Sequence, residues 1–135
     1  MKLVNPTTLA EILLPDDLLW SDELNWVPLV GNESYALNGA LIVEQAVKQA
    51  GRPMTMKYPD REMSWVTRET VEALRSWASV ANKTYSLVFE YPSDTRSFDV
   101  VFRHSEAAVE AEPVKGFPGH DDTDYFLPTI RFIQV

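Results

Sequence analysis

The tract "GHDDTD" places His120, Asp121, Asp122 and Asp124 within five positions, a mixture of hard oxygen donors and one imidazole of the kind that holds a cation. A calcium loop of the EF-hand type needs a fixed ligand spacing that closes on a glutamate. That pattern is absent, so the tract reads first as a solvated turn with aspartate caps, and the four residues stand as weak metal candidates. Histidine occurs only at 104 and 120 and no Gly-x-Ser-x-Gly turn is present, so a serine triad lacks its usual frame. The paired acids Asp16 and Asp17, and Glu110 and Glu112, sit beside prolines in loop-like sequence. Glycosidase chemistry needs two carboxylates facing each other across a cleft, which spacing alone does not supply. No glycine pattern for phosphate or dinucleotide binding occurs. The expectation is a protein without catalytic residues and without a cofactor.

The chain has no cysteine, which excludes disulfides, thiolate zinc sites and cysteine nucleophiles and suits a reducing compartment. Twelve Lys and Arg face 20 Asp and Glu, for a formal net charge of −8. Such a surface repels a polyphosphate, so tight nucleic-acid binding is not expected, although a repelling wall lets a polyanion slide past. Pro6, Glu11, Pro15, Asp16 and Asp17 interrupt every apolar run near the start, so neither a signal peptide nor a membrane span is expected.

The 135 residues, 45% of them hydrophobic, suit a single domain, 1–135, with an N-terminal arm at 1–20. In that arm Leu9, Ile12 and Leu13 fall at helical spacing. Nine prolines punctuate the chain and favour short extended segments over long helices. "LNWVPLV", 24–30, reads as an edge or bulged strand because Pro28 cannot donate to a ladder. The stretch 35–50 supports two readings, an alternating strand or an alanine-rich helix closed by Gly51. "GRPMTMKY" favours the strand: Gly51, Arg52 and Pro53 read as the connection of an antiparallel hairpin that joins it to 54–58.

"WVTRETVEALRSWASVANK" predicts a helix over 68–80, with Thr67 as its N-cap, Glu69 in the first turn and Val71, Leu74, Ala78 and Ala81 along one face. "YSLVFEY" and "SFDVVFR" predict a hairpin with Tyr85, Leu87, Phe89 and Tyr91 opposing Phe98, Val100 and Phe102. After a long loop to 124, "YFLPTIRFIQV" predicts a closing strand. The fold class is mainly β with one α-helix (α+β), an antiparallel β-sandwich or small barrel flanked by that helix. Trp20, Trp26, Trp65 and Trp77 offer either a sugar platform or core and interface anchors, the second being favoured by the area each one buries.

The succession "LPDDLLWSDELNWVPLV", "SYALNGALIVEQ…GRPMTM" and "W-x-T-R-x-x-V-x-A-L", leading to paired strands and a final "IRFIQV", resembles small tail proteins of bacteriophages and prophages. The resemblance rests on the arrangement of segments over nearly the whole chain, with no catalytic motif. It implies a non-enzymatic component of the tail tip, baseplate or tube, a ring made with copies of itself and other tail proteins. Such a protein would assemble in the bacterial cytoplasm and end in the virion tail. Gly51, Arg52, Pro53, Leu9, Ile12, Leu13, Trp20 and Trp26 are the expected structural or interface residues. The alternative is a free-standing β-sandwich module that binds carbohydrate or a cation.

Overall fold

The computed structural model describes residues 1–116 and 121–135. In chain order the elements are β1 (Lys2–Val4), β2 (Glu11–Leu13), β3 (Leu19–Trp20), β4 (Leu29–Tyr35), β5 (Leu41–Val47), β6 (Pro53–Lys57), β7 (Val66–Thr67), α1 (Arg68–Ala78), β8 (Tyr85–Val88), β9 (Ser97–Phe102), β10 (Val109–Pro113) and β11 (Tyr125–Gln134). The architecture is mainly antiparallel β with one helix, as its alternating segments predict, and the main sheet does not close into a barrel.

Nine strands form that sheet in the order β2-β1-β8-β9-β11-β6-β3, with β10 and β7 also pairing with β11. Strand β11 is the hub. One of its edges carries β9 and then β10, and the other carries β6 and then β7. The segments 103–108 and 58–65 bulge out between those partners, so each neighbour of β11 is one interrupted strand.

Register explains the core, because residues directly opposite one another share a face. Ile12, Leu3, Leu87 and Phe98 form one cross-strand row, Phe102, Phe132 and Met54 a second, and Ile130, Met56 and Trp20 a third. All but the partly buried Phe98 are buried, each such side chain contributing about 1.5–3 kcal/mol of transfer free energy. Helix α1 adds Leu74 to this cluster, while its Val71 packs with Val66 and Phe126 in a smaller one.

The helix starts where its caps dictate. Its orphan N–H groups go to three acceptors: Arg68 N donates to Asp124 O, Glu69 N to Asp122 O, and Thr70 N to Thr67 Oγ1. It ends at Ala78, two residues before the expected end, because Ser79 closes it: both its N–H and its hydroxyl donate to Arg75 O.

Three expectations are corrected. Residues 1–20 are not an arm or a helical turn: β1 and β2 form a hairpin in the main sheet, and Leu3, Ile12, Leu14, Leu18 and Trp20 are core. The apparent helical spacing of Leu9, Ile12 and Leu13 arises because a turn separates them, with Leu9 at φ 60° and Asn5 O accepting its N–H. Second, the strand within 35–50 does not pair with 54–58 through Gly51-Arg52-Pro53. Residues 41–47 are indeed extended, but they pair with 29–35, and β6 pairs with β11 and β3. Third, the chain at 24–25 turns, so the strand foreseen over 24–30 starts only at Leu29. Strand β10 was hidden in what reads as loop.

Candidate functional site

Strands β4 and β5 form a sheet of their own. All seven residues of each strand are exposed, so the pair stands off the body as a ribbon. Its turn is local chemistry: Gly39 holds φ +84°, a conformation that excludes most side chains, Asn38 Oδ1 accepts from Ala40 N, and Ala36 N donates to Ala40 O at 2.8 Å. Leu37 sits fully exposed at the tip.

The two faces differ. Opposed pairs Leu29 and Val47, Glu33 and Val43, and Tyr35 and Leu41 lie on one face, with Gly31 and Gln45 between them. The pairs Val30 and Ala46, Asn32 and Glu44, and Ser34 and Ile42 lie on the other. The first is dominated by large apolar side chains and the second mixes them with polar ones. Val47 is 64% exposed and Tyr35 77%, although a protein folding alone has every reason to bury them. An isolated two-stranded ribbon is marginal in water, and a contiguous apolar face of this kind marks a contact surface.

Both legs of the ribbon are tied to the body. On the outgoing leg, Ser21 N donates to Thr55 O, and the Asp22 carboxylate accepts from Thr55 N at 2.9 Å and Thr55 Oγ1 at 3.0 Å. On the return leg, Gly51, at φ +96°, donates to Gln134 O, and Gln134 N donates to Arg52 O at 2.8 Å before Pro53 opens β6.

Between the legs lies Arg52. Its guanidinium carbon is 4.5 Å from the ring centroid of Trp20 and 5.6 Å from that of Trp26, and Nη2 donates to Glu23 O at 2.8 Å. Lys48 Nζ stands 5.4 Å from the Trp26 centroid. Trp20 is buried and meets Phe89 and Phe98 edge-on. Arg96 also lies within 5.6 Å of the Trp20 centroid, and it pairs with Asp94 and Glu23. Those pairings raise the Arg96 pKa and hold the Asp94 carboxyl below its ordinary range. Among the described residues, Arg52 Nε and Trp20 Nε1 are buried without a hydrogen-bond partner.

Of the residues expected to matter, Gly51, Arg52, Pro53, Trp20 and Trp26 therefore gather at the ribbon's base. Leu9, Ile12 and Leu13 do not join them: Ile12 is core, whereas Leu9 and Leu13 are exposed on the β1–β2 hairpin. His120 lies outside the described residues. Asp121 accepts from Thr123 N and Oγ1, which lowers its pKa, and Asp124 Oδ2 accepts from Asp121 N. Among the described residues no three acidic or histidine side chains come together as a cation site. The tryptophans do not line one platform. Trp77 stacks on Tyr85, and Trp65 leans on Tyr125 while donating to Arg61 O.

An open groove of about 530 Å³ runs between α1 and the 103–108 bulge with the start of β10, lined by Glu72, Arg75, Ser76, His104 and Val109 among others. Arg75 approaches Glu72 at 3.8 Å across the helix surface. Among the described residues no helix is long and apolar enough to cross a membrane. The ribbon was missed as a unit, although "Asn38-Gly39" between alternating segments is a hairpin signal. Compared with protein-family models, curated proteins and solved structures, the chain finds no match.

Proposed function

We propose that the chain is a non-enzymatic structural subunit of a phage tail, a ring component of the tail tip, baseplate or tube that assembles with copies of itself and with other tail proteins. The observation that carries this reading is the β4–β5 ribbon, whose apolar face of Leu29, Tyr35, Leu41, Val43 and Val47 stays exposed among the described residues. In a head-to-tail ring each copy lends its ribbon to one neighbour and receives one from the other, so closure leaves no apolar face in water. The ribbon's free strand edges give the neighbour backbone groups to pair with as well. Its mixed face, with Asn32, Ser34 and Glu44, suits a wet surface such as a channel wall. The net charge of −8 suits a wall past which DNA slides.

The test is mass by light scattering with electron microscopy over a concentration series, alone and with neighbouring tail gene products. Rings or partner-dependent assembly are expected from the native chain. The triple variant Tyr35→Ser, Leu41→Ser, Val43→Ser should stay monomeric while its melting temperature is unchanged. A native chain that remains monomeric under all those conditions, or a triple variant that assembles as well as the native one, overturns the reading.

A further inference from the structure

We propose that Arg52 is the positioning residue of the ribbon, the group that fixes the direction in which β4 and β5 leave the body. Its consequence for assembly rests on the ribbon being the assembly element. The backbone ties stop short of the ribbon on both legs: Asp22 is the last outgoing residue held by Thr55, and Gly51 the first returning one held by Gln134. Between those points and β4 and β5 the chain runs through Leu24 and Asn25, both exposed, and through Gln49 and Ala50, also exposed. Such a pair of strands joined by short exposed legs swings unless a side chain spans the joint.

Arg52 spans it. It is rooted in the body through its own carbonyl, which accepts from Gln134 N, and its guanidinium touches one ring on each side. Trp20 belongs to the main core, and Trp26 lies between the outgoing turn and β4. The hydrogen bond from Nη2 to Glu23 O adds a third contact, to the backbone of the outgoing leg. Lys48, on the return leg, approaches Trp26 as well, so the tryptophan draws both legs together. A planar cation stacks and donates at once, which a lysine ammonium does less well. Burial of Nε without a partner is a cost that a merely decorative surface arginine does not bear.

The chain's lack of cysteine permits site-specific spin labels at Leu37→Cys on the ribbon tip and Val80→Cys beyond the helix. Distances are read by pulsed electron resonance in samples diluted with unlabelled chain, so that only intramolecular pairs count. With Arg52 present the distribution should be single and narrow. Arg52→Ala should broaden it and add distances absent from the native chain, and Arg52→Lys should restore it in part. Trp26→Leu, a change on the ribbon side of the joint that leaves the main core intact, should broaden it in the same way and guards against an Arg52 variant that fails to fold. An unchanged, narrow distribution in folded Arg52→Ala overturns the proposal, and so does one in Trp26→Leu should Arg52→Ala fail to fold. This readout is independent of assembly: the serine variant judges whether the ribbon assembles, and the label distance judges whether Arg52 aims it.

Discussion

Two antiparallel hairpins in this molecule share their local construction and differ in everything else. In β8–β9, Tyr85, Leu87, Val100 and Phe102 are buried, and the hairpin is knitted between β1 and β11. In β4–β5 comparable side chains are presented to solvent on a two-stranded sheet that pairs with no other described strand. Alternation of apolar residues thus specifies a strand in both cases but not what will cover it. The first hairpin gains its stability within the chain. The second carries apolar surface that the described residues of its own chain leave in water.

The comparison breaks most sharply at Leu87. Leu87→Ala should destabilise the fold by about 2–5 kcal/mol, the range for deleting a fully packed leucine, whereas Val43→Ala on the ribbon should stay within about 0.5 kcal/mol. Urea unfolding of both variants at low protein concentration measures the two directly. Equal losses would mean that the ribbon packs on the body in solution. A smaller effect tests the helix that braces the packed half: Thr67→Ala removes the side-chain acceptor for Thr70 N and should cost about 1 kcal/mol, with Thr67→Ser restoring most of it.

The smallest effect is electrostatic. Arg61, and then Tyr58, hydrogen-bond the Glu112 carboxylate and hold its pKa below the ordinary range. The stabilisation is therefore complete above the ordinary glutamate value of about 4.3 and is lost as pH falls through the depressed one. Melting curves of Glu112→Gln against the native chain should differ slightly at pH 7 and converge in acid. A gap that widens in acid would show the sign to be wrong.

Where the pattern is local the sequence is easily read. The helix with its Thr67 cap, the β8–β9 pairing and the strand from Tyr125 follow from periods of 3.6 and 2 over enough residues to count. Where strands are two or three residues long, as in β1, β2, β3 and β7, no period can be counted, and Leu9, Ile12 and Leu13 imitate a helix across a turn. Strand β10 reads "VEAEP", acidic and proline-ended, because it lies on a sheet edge with Glu110 and Glu112 outward. Its pairing with β11 is visible only in three dimensions. At the ribbon base the residue types are suggestive: Gly51, Arg52 and Pro53 do shape a chain exit. What sequence could not supply was the partner, since Arg52 meets Trp20 and Trp26 from far along the chain, and the reading of a turn between 47 and 54 overlooked the stronger Asn38-Gly39 turn.

The hub position of β11 also has a meaning in time. Four strands pair with residues 125–134, and among the described strands β7 and β10 have no other partner, so the main sheet belongs to the class of non-local topologies that fold in milliseconds to seconds. The ribbon closes over a five-residue turn and needs only its own sequence, which places it among hairpins that form within microseconds. Its pairing is consequently sampled before the body that carries it is complete, although alone the ribbon is marginal in water. During synthesis the ribbon can therefore close while residues 125–134, which complete the main sheet, are still to come, so its apolar side chains meet water and other chains early.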